Sequence, residues 1–101
     1  MTKHIILWTL DDKLSDNEKA KVKAEAKKAL EALVGKVEGL ISLTVSINPL
    51  PTSNCDMMLD STLESAEALA FYAKHPCHVA AADTYVRPFT KVRTCIDFDI
   101  V

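Results

Sequence analysis

Four segments of the chain carry the hydrophobic patterns of β-strands. Lys3 to Leu10 is almost continuously apolar, which predicts a strand with both faces at least partly buried. Leu40 to Ile47 alternates apolar and polar residues, which predicts a strand with one apolar face that includes Ile41. Asp56 to Leu63 and Lys91 to Val101 have strand character as well, and the second of these also alternates.

Helical patterns separate these strands. Ser15 begins the sequence SDNE, which fits a capping box and predicts a helix from Asp16 to Val34. Ser65 can cap a second helix from Ala66 to about Lys74. A His-Pro dipeptide then ends that helix, because the residue before proline avoids the α region. The same proline suits the first position of a further helix, which we expect over Pro76 to Val86.

The resulting order, βαββαβ, is typical of a ferredoxin-like α+β fold, an antiparallel four-stranded sheet with helices on one face. We expect a single domain over residues 1–101, since a chain of this length builds one core. Ile5 and Leu7 are apolar like their alternates Ile6 and Trp8, yet one layer of helices covers only one of these sets. A second sheet from an identical chain would bury the other set, so we predict a two-fold homodimer.

Composition excludes several kinds of partner. The 101 residues carry 12 basic and 14 acidic side chains, and the net charge of −2 gives no drive towards nucleic acid or an anionic membrane. No apolar run approaches the roughly 20 residues that span a bilayer. The first strand is also too short for the apolar core of a signal peptide. The three scattered cysteines predict free thiols in the reducing cytoplasm, and without a glycine-rich phosphate loop we expect no cofactor.

Four segments of the chain resemble the stress-responsive A/B barrel domain family. They are KHIILWTL from Lys3, ESAEA from Glu64, YAKHPCHV from Tyr72 and the closing IDFD from Ile96. The HPxHV segment with its upstream aromatic residue is fairly specific when it occurs in this order of elements. The resemblance runs through the whole chain and implies a dimeric α+β barrel in which two sheets face each other.

The resemblance also implies a candidate chemistry. One family member, a plant polyketide cyclase, closes a linear tetraketide thioester without a cofactor. Its catalytic histidine and tyrosine correspond to His78 and Tyr72, and its pocket histidine corresponds to His4. Two other polar residues of that pocket are replaced by Ala26 and Met57, which argues against the same substrate.

His78 is a chemically sensible general base, because a neutral imidazole with a reference pKa of about 6.5 takes up a proton near neutral pH. Tyr72 could orient His78 or stabilise an enolate oxygen. The alternative is structural: His78 caps or packs the second helix, and Tyr72 is a core residue of that helix. Both roles are compatible with the break at the His-Pro dipeptide.

A small pocket for a hydrophobic or aromatic ligand would be lined mostly by apolar groups with a few polar ones. The candidates for this lining are His4, Ile6, Trp8, Met57 and Phe98. A lone histidine in an apolar strand is otherwise a hydrogen-bonded core group. His75, Cys77 and His78 are close in sequence, but a structural zinc site needs four ligands, so no metal site is predicted.

Functions of different classes remain open at this point. The first is a binding or stress-associated module, a homodimer with a small hydrophobic pocket and no established reaction. The second is an enzyme, a cofactor-free cyclase or lyase with His78 and Tyr72 as its catalytic pair. A cofactor-free monooxygenase that uses the barrel to steer oxygen is a third. An enzyme of the second kind needs a cavity of about 300 Å³ or more beside His78, Tyr72 and His4.

Overall fold

A computed structural model describes residues 1–100 of the chain. In chain order its elements are β1 (Thr2–Leu10), α1 (Asp16–Glu31), β2 (Leu40–Ser46), β3 (Met57–Leu63), α2 (Ala66–Lys74), α3 (Pro76–Tyr85), a short 3₁₀ helix (Arg87–Phe89) and β4 (Thr90–Asp99). The strands form one antiparallel sheet in the order β2-β3-β1-β4. The predicted ferredoxin-like α+β fold is confirmed.

Local signals set most of these boundaries. Ser15 accepts a hydrogen bond from the Glu18 amide, and the Glu18 carboxylate accepts one from the Ser15 amide, which completes the capping box at the start of α1. α2 has the predicted bounds, with Ser65 as its N-cap. α1 ends at Glu31, three residues before the predicted end, because tight turns lead from there to Gly35 at a positive φ of 90°. Val101, at the predicted end of the last strand, lies outside the described residues.

β1 lies between β3 and β4, and its two faces have different surroundings. Every second residue from His4 to Leu10 is buried beneath the helices, where the strand packs with a stripe of α1 centred on Ala26. Ile5 and Leu7 point to the other side of the sheet, and Leu7 is 37 % exposed. We call this side the open face; it also carries Ile96 and Phe98, which pair with Ile5 and Lys3.

The apolar face predicted for β2 is partly wrong. Leu43 and Val45 are buried as expected, but Ile41 is 42 % exposed. The pairing of β2 with β3 shifts register between Leu40 and Ser42, so the alternation restarts there and Leu40 takes the inward position instead. A register shift of one residue exchanges the two faces of a strand.

Two side chains of α1 cover the outer edge of β2. The Glu31 carboxylate accepts a hydrogen bond of 2.9 Å from the Val45 amide, and the Lys27 ammonium donates one of 2.7 Å to the Val45 carbonyl. Lys27 also contacts Glu31 at 2.8 Å. Burial alone would raise the pKa of Glu31, but the bonds from Lys27 and Val45 outweigh it and lower the pKa. The helix therefore satisfies backbone groups that an edge strand would otherwise leave free.

The turn into β2 brings the chain very close to the start of α2. Gly39 has a φ of 89°, and a Cβ at this position would lie 2.8 Å from the Cβ of Ala68. Gly35 has nearly the same φ, yet a Cβ there would meet nothing within 4 Å. The two glycines share the backbone requirement and differ in the space around them.

This difference makes a matched pair of substitutions. Gly35→Ala is expected to lower the free energy of unfolding by about 1 kcal/mol, the cost of a left-handed alanine. Gly39→Ala is expected to lower it by about 2–4 kcal/mol, since overpacking against Ala68 adds to the same backbone cost. Urea unfolding of both variants checks this, and equal losses would show that the contact with α2 is unimportant.

Candidate functional site

His78 lies in the first turn of α3, directly after the break that separates this helix from α2. Its Nδ1 is 3.1 Å from the carbonyl oxygen of Ala73, near the end of α2. Since a carbonyl can only accept, Nδ1 donates the hydrogen, and in the neutral ring Nε2 then carries the free lone pair. His78 therefore caps α2, as its structural role predicts, and this bond also fixes the tautomer that general-base chemistry requires.

Tyr72 lies beside His78, in the last turns of α2. The residue is 1 % exposed, and its ring centroid is 4.3 Å from that of His78 and 6.1 Å from that of His4. The hydroxyl oxygen is buried and finds no hydrogen-bond partner among the described residues. Burial raises the pKa of Tyr72 well above its ordinary value, so the group is a phenol that can donate a hydrogen bond.

A crevice of about 60 Å³ opens next to His78, between the sheet and α3. Apolar side chains form its floor, and Arg87 and Arg93 form its basic rim. The full lining is Ile6, Trp8, Leu30, Leu59, His78, Ala82, Val86, Arg87, Thr90 and Arg93. One water molecule needs about 10–15 Å³ of such space, so the crevice has room for only a few water molecules or for one compact ligand of similar size. This volume is far below the ~300 Å³ typical of pockets for drug-sized molecules.

The surroundings of His78 disfavour its charged form. Burial is the largest cause that lowers the pKa of His78, and the positive charges of Arg87 and Arg93 act in the same direction. The bond to the Ala73 carbonyl opposes them and is outweighed. The imidazole is consequently neutral at neutral pH and can accept a proton through Nε2.

His4 is buried on β1 and contacts two residues of β4. Its Nδ1 is 2.5 Å from Oδ1 of Asp97 and 3.6 Å from Sγ of Cys95. Both partners lie on the same side of β4, because Ile6 and His4 of β1 pair with Cys95 and Asp97 respectively. His4 is therefore a bonded polar group at one end of the core and not an isolated histidine.

The structure brings some predicted site residues together and separates others. His78, Tyr72 and His4 form one row of rings, and Ile6 and Trp8 line the crevice. Met57 is buried on the helix side of the sheet without lining the crevice. Phe98 pairs with Lys3 and belongs to the open face, so it lies on the opposite side of the sheet from His4.

The sequence prediction missed the basic rim. Arg87 forms an ion pair with Asp83, one helical turn away, and it also lines the crevice. Arg93 lies on β4 with no ion pair in the described part of the chain. The alternation of β4 predicts only that Arg93 lies on the other face of the strand from its apolar residues. The pairing of Arg93 with Trp8 of β1 then shows that Arg93 lies beside the crevice.

The antiparallel sheet with helices on one face defines a ferredoxin-like α+β domain. A histidine–tyrosine pair lies beside its small crevice, where one helix breaks into the next. Residues 2–100 match the family model of the stress responsive A/B barrel domain. The chain therefore belongs to this family, as the resemblance of its motifs predicts. No curated protein is significantly similar to it in sequence.

Solved structures share the fold over nearly the full chain. A dimeric protein of unknown function from Bacteroides fragilis is 32 % identical with a TM-score of 0.92, and the match covers 98 % of this chain and 95 % of that one. A Dabb family protein from Mesorhizobium loti is 20 % identical with a TM-score of 0.75, covering 99 % and 96 %. Hydroxynitrile lyase from Passiflora edulis is 13 % identical with a TM-score of 0.75, covering 99 % and 93 %. At these lower identities the likeness shows the fold alone.

The lowered pKa of His78 has a measurable consequence for stability. Between that pKa and the ordinary value of 6.5 the unfolded chain binds more protons than the folded one. The contribution of the neutral His78 side chain to the free energy of unfolding is therefore complete above pH 6.5 and declines as the pH falls below 6.5. We expect the His78 imidazole to titrate with a midpoint below 6.5 by NMR. His78→Gln, which keeps a donor for the Ala73 carbonyl, should weaken the loss of stability in this range. A midpoint at or above 6.5 would contradict the burial argument.

Proposed function

We propose that the chain works as a homodimer in which the open faces of two sheets meet. The open face carries apolar side chains that no residue within 1–100 covers, with Ile96 at 58 % and Phe98 at 45 % exposed. Contiguous exposed apolar surface of this kind is typical of a protein interface. The similar protein from Bacteroides fragilis is dimeric, which supports the same assembly here.

A charge placed on the open face tests this assembly. We expect Ile96→Glu to be monomeric, because the dimer would have to bury a carboxylate without a partner. Val34→Glu is the matched control, since Val34 is 41 % exposed in the turn after α1, away from the sheet. Sedimentation equilibrium measures both masses. A monomeric parent chain, or a dimeric Ile96→Glu chain, would refute the proposed assembly.

Each protomer, we propose, binds a small organic acid in the crevice beside His78. This proposal rests on one observation: the crevice has an apolar floor at Trp8 and a cationic rim at Arg87 and Arg93. An arginine recognises a carboxylate through charge-assisted hydrogen bonds, while the apolar part of the ligand leaves water. Arg93 is the stronger candidate for the carboxylate, because Arg87 already pairs with Asp83.

The crevice beside His78 and Tyr72 is far smaller than the cavity of about 300 Å³ expected for a cyclase. As a second candidate, the pair therefore favours a cofactor-free lyase that acts on a compact substrate. Nε2 of His78 would take a proton from the substrate, and the unpartnered Tyr72 hydroxyl would donate a hydrogen bond to an oxyanion that forms next to it. The crevice of about 60 Å³ argues against a chain as long as a tetraketide in this conformation. A substrate of a few heavy atoms fits the space better.

We also propose that the protein is cytoplasmic. All three cysteines are free, as expected in a reducing compartment. Among the described residues, no helix has both the length and the apolar character that crossing a membrane demands.

Simple acids test the crevice directly. NMR titrations with acetate, isobutyrate and neutral isobutyramide should show saturable shifts at Trp8 and His78 for the two anions and weaker binding of the amide. Arg93→Met should raise the Kd for isobutyrate about tenfold, which corresponds to the loss of about 1.4 kcal/mol of binding free energy. Lys91→Met is the control, since Lys91 is on the same strand but pairs with Asp12. Equal binding of acid and amide, or no effect of Arg93→Met, would refute an acid site.

A further inference from the structure

The side chains of His4, Cys95 and Asp97 bring three metal-binding atoms together at the edge of the sheet. Nδ1, Sγ and a carboxylate oxygen all lie within 4.8 Å of one another. The Cys95 sulfur is 3.6 Å from Nδ1 of His4 and 3.5 Å from Oδ1 of Asp97. Among the described residues this is the one group of three or more such side chains that could hold an ion.

Two of these three separations match those between the ligands of a tetrahedral zinc ion. Zinc bonds of about 2.0 Å to nitrogen or oxygen and about 2.3 Å to sulfur, at tetrahedral angles, place sulfur about 3.5 Å from either neighbour. Both contacts of Cys95 already have this length. The same geometry requires about 3.3 Å between His4 and Asp97, so their present contact of 2.5 Å must open by about 0.8 Å.

The surroundings permit that adjustment. The Asp97 side chain is 45 % exposed and can rotate, whereas the His4 ring is held in the core at 8 % exposure. When an ion takes its place, the hydrogen that His4 Nδ1 now donates to Asp97 moves through solvent to Nε2, and the Cys95 thiol, which now donates to Asp97, releases its proton to solvent to become the thiolate ligand. The three side chains lie on the helix side of the sheet, whereas Phe98 and the open face lie on the other side. A dimer formed through the open faces therefore leaves the cluster accessible.

We infer that His4, Cys95 and Asp97 form a zinc-binding site, one per chain, with solvent water as the fourth ligand. Zinc is the favoured cation because it accepts imidazole, thiolate and carboxylate together, whereas magnesium and calcium select oxygen donors. Three protein ligands with an open fourth position are typical of zinc sites that bind water or substrate. The site departs from the sequence prediction of no metal, because its ligands come from two strands more than 90 residues apart in the chain.

The zinc site and the acid-binding crevice can be tested separately. None of the three ligands lines the crevice, although the His4 ring is 6.1 Å from that of Tyr72. The positive charge of Arg93 also acts on the Cys95 thiol, so zinc binding is measured with Arg93 in place. Loss of acid binding in Arg93→Met then leaves the zinc proposal untouched, and the absence of zinc binding leaves the crevice proposal untouched.

The test uses the full chain without an affinity tag, kept reduced, and dialysed against zinc or cobalt ions. We expect one zinc ion per chain, and with cobalt a thiolate-to-metal charge-transfer band together with the strong visible bands of a tetrahedral ion. Cys95→Ser should abolish the charge-transfer band and weaken zinc binding at least tenfold. Asp97→Asn should weaken zinc binding while the charge-transfer band remains.

Cys77→Ser is the matched control, because Cys77 is also an exposed free thiol but lies on α3, outside the cluster. It should bind zinc like the parent chain. Circular dichroism of each variant checks that the fold is intact; both Cys95 and Asp97 are exposed, so their substitution is not expected to unfold the chain. Binding below one ion per chain, tight binding that survives Cys95→Ser, or loss of binding in Cys77→Ser would overturn the proposal.

Discussion

The central strand β1 is apolar on both faces, and the rest of the structure follows from the need to bury both. Helices cover one face and build the core around Trp8 and its neighbours. The open face keeps Leu7 and Ile96 in contact with solvent in the monomer. Burial of apolar surface is the main favourable term in folding and in most association. The same strand therefore explains the fold of one chain and the proposed pairing of two.

The break between α2 and α3 joins stability to candidate chemistry. Pro76 cannot continue α2, so the chain turns there and His75 becomes the N-cap of α3, accepting a hydrogen bond from the Cys77 amide. One turn further on, His78 bonds back to Ala73 of α2. The bond that closes the end of one helix thus also orients an imidazole above the crevice. A structural and a functional role for His78 are not alternatives in this geometry.

Local sequence signals predict the helices and strands well. The features that they do not predict depend on contacts between residues far apart in the chain. The capping residues and Pro76 act within one helical turn, so the bounds of α2 could be read from the sequence. The exposure of Ile41 depends on a register shift between β2 and β3, which no short pattern encodes. The bonds of His4 to β4 and the basic rim at Arg93 depend likewise on the register between β1 and β4. The volume beside His78 depends on how side chains fill space, which is decided only when all of them pack together.

The cover that α1 provides for β2 makes the two edges of the sheet unequal. Growth of a sheet into a filament by strand addition needs an accepting edge at both ends, so that each new copy offers a template to the next. Glu31 accepts from the amide of Val45 and Lys27 donates to its carbonyl, near the end of the β2 edge. A copy that docked its own β4 on β4 would therefore present β2, an edge partly blocked by α1, to the following molecule. Strand-by-strand growth of the sheet is therefore disfavoured on the β2 side, because each new copy would have to displace the side chains of α1.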